Sequence, residues 1–279
     1  METESAAQTF ATLGHPGRLA VFRLLMRFAP RGVRPTEMAE ALGLKANTLS
    51  HHLSDLTAAR LVRAERRGRS LYYAAALDTA EALLGYLALD VGRARPDLIG
   101  ALHIPAGQQH AHGVSRNVLF ICTGNSARSI FAEALLRDLG GGRFIAHSAG
   151  TQPRSGINPM ALEVLRQNEH DTAKLRAKHL SGFQGSAAPM MDFVFTVCDT
   201  AASEECPPWP GLPITGHWGL PDPVKATGAQ TERARAFTRT YDALRRRIEA
   251  LTALPLDSLD RPALQTCIDA IDANALKED

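Results

Sequence analysis

Apolar residues in the first ninety positions recur at helical spacing. Phe10, Leu13, Leu19, Phe22, Leu25 and Met26 predict helical sequence over Thr9 to Phe28, interrupted at Gly14-His-Pro-Gly17. A second helix is predicted from Glu37 to Leu42, with Thr36 as its N-cap and Gly43 at its end, and a third from Ala46 to Ala59. Leu61 to Glu65 and Ser70 to Ala74 read as two short strands around a basic tip, Arg66-Arg-Gly-Arg69. An amphipathic helix from Asp78 to Leu89 follows. Between Gly92 and Arg116 the periodicity fades into Pro, Gly, His and Gln, as in a linker. His103, His110 and His112 lie there, but no Cys or carboxylate cluster completes a ligand set, so no metal is expected.

After this stretch the pattern changes. Asn117-Val-Leu-Phe-Ile121 is a short buried-strand signature, followed by a loop and a helix from Ser129 to Leu139. Phe144 to Ser148 and Phe193 to Val197 are further strand candidates, with helical stretches between them. Strands alternating with helices imply a parallel sheet. The expectation is two domains: a mainly α unit over residues 1–92, a linker over 93–115, and an α/β unit over 116–279 that ends in a tail.

Composition narrows the classes. The chain has 279 residues, 45% hydrophobic and 22% charged, which excludes a disordered or low-complexity protein. No apolar run approaches the ~20 residues of a membrane span, so no membrane partner is expected. Met1 to Phe10 carries two glutamates and no basic residue, so no secretory signal is expected and the cytoplasm is the expected location. Net charge is only +2, so a nucleic-acid partner has to be argued from a local patch. The four cysteines, Cys122, Cys198, Cys206 and Cys267, all lie beyond residue 121 and are expected to be reduced thiols.

The local patch exists. Two short helices joined by a Gly-containing turn, then a hairpin, describe a winged helix-turn-helix. In the second of those helices Leu49, Leu53 and Leu56 fall on one face. Lys45, Asn47, Thr48, Ser50 and His51 are left outside, able to reach base edges. Five arginines between Arg60 and Arg69 are opposed within that stretch by Glu65 alone; Arg67 and Arg69, at the tip, are the candidates for phosphate contacts. His52, beside Leu53, reads as a packing residue. The run from Gly14-His-Pro-Gly-Arg-Leu through Leu49-Ser-His-His-Leu to the Arg-Gly-Arg wing resembles the ArsR-type repressors of metal and metalloid resistance over residues 8 to 90. That resemblance implies operator DNA as partner and a homodimer formed through the outer helices. No cysteine for direct thiol sensing occurs in this part of the chain.

Asn117-Val-Leu-Phe-Ile-Cys-Thr-Gly-Asn-Ser-Ala-Arg-Ser129 carries the chemistry. A strand ends at Cys122, five residues intervene, and Arg128 opens a helix. A loop of Thr123, Gly124, Asn125, Ser126 and Ala127 can turn its backbone N–H groups onto one tetrahedral oxyanion, assisted by the helix N-terminus and the planar fork of Arg128. The same positive field is expected to lower the pKa of Cys122 and make it a nucleophile, with Ser129 donating to the thiolate and Asn125 bracing the loop. Asp222, in Leu220-Pro-Asp-Pro-Val224, is the candidate acid for the departing oxygen.

Residues 116 to 248 resemble the low-molecular-weight protein tyrosine phosphatase fold, and within it the arsenate reductases. The resemblance rests on Cys-Thr-Gly-Asn-Ser-x-Arg-Ser, on Val197-Cys-Asp with Cys206-Pro, and on His217-Trp-Gly before Asp222-Pro. It implies a thiol relay: Cys122 attacks arsenate, Cys198 attacks Cys122 and releases arsenite, and Cys206 takes over the disulfide for a thioredoxin-like reductant. No tightly bound cofactor is implied. Cys267 matches nothing in the pattern and reads as structural. Two alternatives stand beside the reductase. One is a phosphomonoesterase, against which Val224 stands where an aromatic residue is usual. The other is a transcription factor whose Cys122 loop only senses an oxyanion or oxidant.

Overall fold

In the computed structural model the described residues are 1–93, 95, 115–184, 188–204, 209 and 213–278, with side chains to Ala273. Most of the expected linker, its three histidines and Cys206 therefore lie outside the described residues. The chain divides into two compact units, Met1–Pro105 and Ala106–Asp279.

In the first unit the helical stretch breaks where the sequence breaks it, into α1 (Thr3–Leu13) and α2 (Pro16–Phe28). His15 caps α2: its Nδ1 accepts from Gly17 N at 3.1 Å, and Pro16 occupies the first helical position, where no N–H is needed. Helix α3 (Pro35–Leu42) starts two residues earlier than expected. Thr36 is thus inside the helix and Arg34 is the N-cap, because the Glu37 carboxylate accepts from the Arg34 N–H at 2.9 Å and Pro35 pre-sets the first turn. Helix α4 (Ala46–Ala58) buries Leu49, Leu53 and Leu56 together with Met38, Leu25 and Phe28. Strands β1 (Val62–Arg67) and β2 (Ser70–Ala75) pair antiparallel with Arg67 opposite Ser70. The tip is therefore the two-residue turn Gly68-Arg69, tighter than the four-residue tip expected. Helix α5 (Leu77–Gly85) continues as a π-helical turn, Tyr86–Val91.

The second unit is α/β, as the alternation predicted. Strands β3 (Arg116–Cys122), β4 (Phe144–Gly150), β5 (Phe193–Thr196) and β6 (Ile214–His217) form one parallel sheet in the order β4-β3-β5-β6. Val118 to Cys122 are buried without interruption, as expected for a central parallel strand covered on both faces. From β3 the chain passes to β4 on one side and later to β5 on the other. The loop after β3 therefore leaves the sheet at the point where strand order reverses, the position at which open α/β sheets bind ligands. Helices α6 (Arg128–Leu139), α7 (Pro159–Gln167), the short α8 (Asp199–Ser203), α9 (Gln230–Ala253) and α10 (Arg261–Glu278) complete the unit.

Two features correct the sequence reading. Strand β6 escaped prediction: four residues, Ile-Thr-Gly-His, are too few and too polar to show an apolar run. The expected C-terminal tail is helix α10, which buries Leu264 and Ile268 in the core of the unit. Cys267 lies on it, half-buried. The helix is also tied down by charge. Arg247 of α9 is almost fully buried, and its Nη2 lies 3.3 Å from Asp272 Oδ1. Removing one partner strands a buried charge, so Asp272→Ala is expected to cost about 3–5 kcal/mol, read as a lower urea midpoint. An Arg247→Met/Asp272→Leu double variant should recover most of that loss. A single variant as stable as the parent would show that the pair does not hold α10.

Candidate oxyanion site and DNA-facing surface

The loop between β3 and α6 is held from outside. The carbonyls of Cys122, Thr123, Gly124 and Ser126 accept from the N–H groups of Thr151, Gln152, Arg154 and Asn158, at 3.1, 2.9, 2.9 and 2.9 Å. With its carbonyls taken by this strap, the loop can turn N–H groups to its concave side. Gly150 admits the strap: a Cβ there would lie 2.7 Å from the Thr123 carbonyl oxygen. Nothing in the sequence singled this glycine out.

Cys122 is buried at the end of β3. Its Sγ accepts from Asn125 N at 3.1 Å and lies 3.0 Å from Ser129 Oγ. Asn125 has φ 41°, a left-handed conformation that Asn tolerates better than most residues. Its Nδ2 reaches Ser129 Oγ and Ser148 Oγ, both at 2.8 Å, and its Oδ1 accepts from Lys178 N at 2.7 Å. Ser148 in turn donates to the Glu133 carboxylate, which pairs with Lys178 Nζ at 2.8 Å. Lys178 is the member of this chain behind the loop that the sequence did not bring out, since it lies fifty-three residues beyond Asn125.

Arg128 begins α6, one residue before the expected start. It is almost fully buried, with Nη1 donating to the Leu220 carbonyl at 2.9 Å and Nη2 3.0 Å from Asp222 Oδ2. Asp222 Oδ1 accepts from Val224 N at 3.1 Å. Cys198 ends the segment after β5, fully buried. Its Sγ lies 3.5 Å from Thr123 Oγ1 and accepts from Ala201 N at 3.4 Å. The structure thus gathers Cys122, Ser129, Arg128, Asp222 and Cys198 around one loop.

Residues 117–263 match the low molecular weight phosphotyrosine protein phosphatase family. The chain belongs to that family. Residues 13–65 match a helix-turn-helix domain, which lies wholly in the first unit. An arsenate reductase of Oceanobacillus iheyensis is 33% identical over 132 residues, 47% of this chain and 91% of that protein. An arsenate reductase of Bacillus subtilis is 31% identical over 132 residues, with the same two shares. A solved structure of an arsenate reductase in the phosphate binding state is 25% identical, covers 50% of this chain and 97% of its own, and has a TM-score of 0.42. By its identity to those two sequences the second unit groups with the arsenate reductases of the phosphatase family.

Within this phosphatase-family domain one electrostatic expectation fails. The Cys122 thiol is pushed up, not down: burial dominates and the neighbouring Cys198 adds to it, while the hydrogen bond from Ser129 and the charge of Arg128 pull the other way.

In the first unit Lys45, Asn47, Thr48, Ser50 and His51 are all exposed along α4. His52 is half-buried and packs its ring 5.0 Å from that of His15. At the hairpin Arg67 pairs with Glu65 at 2.7 Å and stacks over Tyr72, while Arg63 pairs with Asp78 at 2.5 Å. Arg66 and Arg69 are exposed at the same end. Among the described residues no cluster of three His, Cys, Asp or Glu side chains is placed to hold a metal.

Proposed function

We propose that the second unit reduces arsenate to arsenite with its own thiols, and that the first binds operator DNA as a homodimer. One observation carries the first part: a second buried thiol, Cys198, rests against Thr123 of the oxyanion loop. A phosphomonoesterase has no use for it. In the reaction, Cys122 sulfur displaces an arsenate oxygen, which leaves as water with a proton from Asp222. Thr123 to Ala127 and Arg128 hold the remaining oxygens. Cys198 sulfur then attacks Cys122 sulfur. The S–As bond breaks with its electron pair on arsenic, so As(V) becomes As(III) and the two cysteines become a disulfide. Cys206 attacks Cys198 and passes the disulfide on to a thioredoxin-like dithiol, which is oxidised in turn. No tightly bound cofactor takes part, and the chemistry suits the reducing cytoplasm. Val224, two residues after Asp222, gives an aryl ester nothing flat to stack on.

The test is arsenate-dependent NADPH oxidation by the purified chain with thioredoxin and thioredoxin reductase, beside hydrolysis of p-nitrophenyl phosphate. Arsenate turnover supports the reductase. Ester hydrolysis alone would make the domain a phosphatase, and neither activity in folded protein would favour an oxyanion sensor.

For the first unit, the exposed polar face of α4 supplies base-edge donors and acceptors, and the hairpin arginines supply phosphate contacts. Leu84, Leu87, Leu89 and Val91 remain 41–65% exposed along the last helical segment, an apolar strip that a second copy would cover. Replacing Arg67 and Arg69 together by Ala should weaken binding to all DNA sequences alike and reduce the log–log salt slope by about 1–2. Fluorescence anisotropy over a salt series reads both quantities. An unchanged slope would remove the hairpin from the interface.

A further inference from the structure

A buried pair outside the oxyanion loop links two of its parts. His217 ends β6, in register with Thr196 at the end of β5. Its side chain is 4% exposed, with Nδ1 2.7 Å from Thr196 Oγ1 and Nε2 2.9 Å from Asp199 Oδ1. A carboxylate only accepts, whereas a hydroxyl can give its proton. The neutral ring that satisfies both carries its proton on Nε2, donating to Asp199 and accepting from Thr196 at Nδ1. Asp199 directly follows Cys198 and opens α8. Gly219 closes over the same bond: a Cβ there would lie 2.3 Å from Asp199 Oδ1 and 2.5 Å from His217 Nε2. The next residue, Leu220, gives its carbonyl to Arg128, and Asp222 follows. One hydrogen bond thus ties the segment bearing Cys198 to the segment bearing Asp222.

We propose that His217 and Asp199 are positioning residues for the second thiol step: they hold the start of α8 so that Cys198 stays aimed at the oxyanion loop. The inference rests on the relay reading given above. In that step Cys198 sulfur bonds to Cys122 sulfur and the S–As bond breaks toward arsenic, so the geometry that matters is between two sulfurs. Cys198 Sγ has two neighbours that fix it, Ala201 N–H and Thr123 Oγ1. The first exists only while the opening turn of α8 is in place. Misplacing a reacting atom slows its own step and leaves earlier ones intact.

The experiment is a single turnover without reductant in a Cys206→Ser background, in which arsenate links Cys122 to Cys198, the disulfide can pass no further and mass spectrometry follows it; kcat is read with Cys206 in place. Asp199→Ala is expected to slow disulfide formation about tenfold and lower kcat alike, with KM for arsenate little changed. Asp199→Asn, whose carbonyl oxygen still accepts from His217 Nε2, should recover most of the loss. His217→Phe, which keeps ring and burial but neither hydrogen bond, should behave like Asp199→Ala, and near-UV circular dichroism checks its folding. Disulfide formation at the parent rate in both Asp199→Ala and His217→Phe would overturn the proposal while leaving the relay intact. If the Cys206→Ser chain with Asp199 and His217 intact forms no Cys122–Cys198 disulfide on arsenate addition, the relay itself fails and this inference falls with it.

Discussion

Cys122→Ser should lower arsenate reduction on the order of 10⁴-fold or more, the scale on which enzymes lose activity when a covalent nucleophile is removed. The reaction asks two things of this sulfur. It must bond to arsenic, and it must then accept attack by a second sulfur so that two electrons reach arsenic. A serine oxygen offers neither, since no disulfide can form through it. The substitution should leave the fold in place. Asn125 N–H and Ser129 Oγ, at 3.1 and 3.0 Å from the sulfur, can hydrogen-bond a hydroxyl as well. DNA binding by the first unit should persist at parental affinity, because its candidate contacts all lie within residues 45–69. The assay is arsenate-dependent NADPH oxidation with the thioredoxin couple, paired with anisotropy on operator DNA. Substantial residual turnover would place the chemistry on another thiol.

What the sequence made legible, and what it hid, follows from how locally each feature is encoded. The strand–loop–helix unit around Cys122 lies within twenty-four consecutive residues, and its elements form where the buried run and the Gly-Asn-Ser loop predict them. The α/β class followed from Val118–Ile121 and Phe193–Phe195, both continuous apolar runs. Strand β6 was lost because its neighbours in space, Phe193 to Thr196, supply the pairing that Ile214-Thr-Gly-His217 cannot advertise alone. Helix α10 was read as a tail because its buried set is sparse and its anchor, Arg247 to Asp272, is a contact between helices. The helix-turn-helix was readable from Leu49, Leu53 and Leu56, whereas the Arg34 cap of α3 depends on which carboxylate turns back. The Cys122 thiol went astray for a related reason. A sequence shows Arg128 six residues away but not that the sulfur is buried beside a second thiol, and burial dominates.

Cys198→Ser tests whether Cys198 is the second sulfur. Steady-state arsenate reduction should fall nearly as far as in Cys122→Ser, since arsenite cannot leave until a second sulfur takes the Cys122 bond. Steps that use Cys122 alone should survive. Cys198 is one of the two influences pushing the Cys122 thiol upward, so its removal takes away an opposing charge, and Cys122 should ionise at lower pH in the variant. Alkylation of Cys122 by iodoacetamide, followed against pH by peptide mass spectrometry, should therefore move to the acid side of the parent curve while arsenate turnover vanishes. Near-UV circular dichroism separates this from a general loosening of the fold, which would also expose Cys122 and let it ionise sooner. Had Cys198 served only to fill space beside Thr123, a serine of similar size would leave turnover near the parental value. Turnover retained in Cys198→Ser would move the second sulfur elsewhere, to Cys206 or to the external dithiol acting directly on Cys122. Turnover lost with the Cys122 profile shifted down assigns Cys198 to the transfer of electrons.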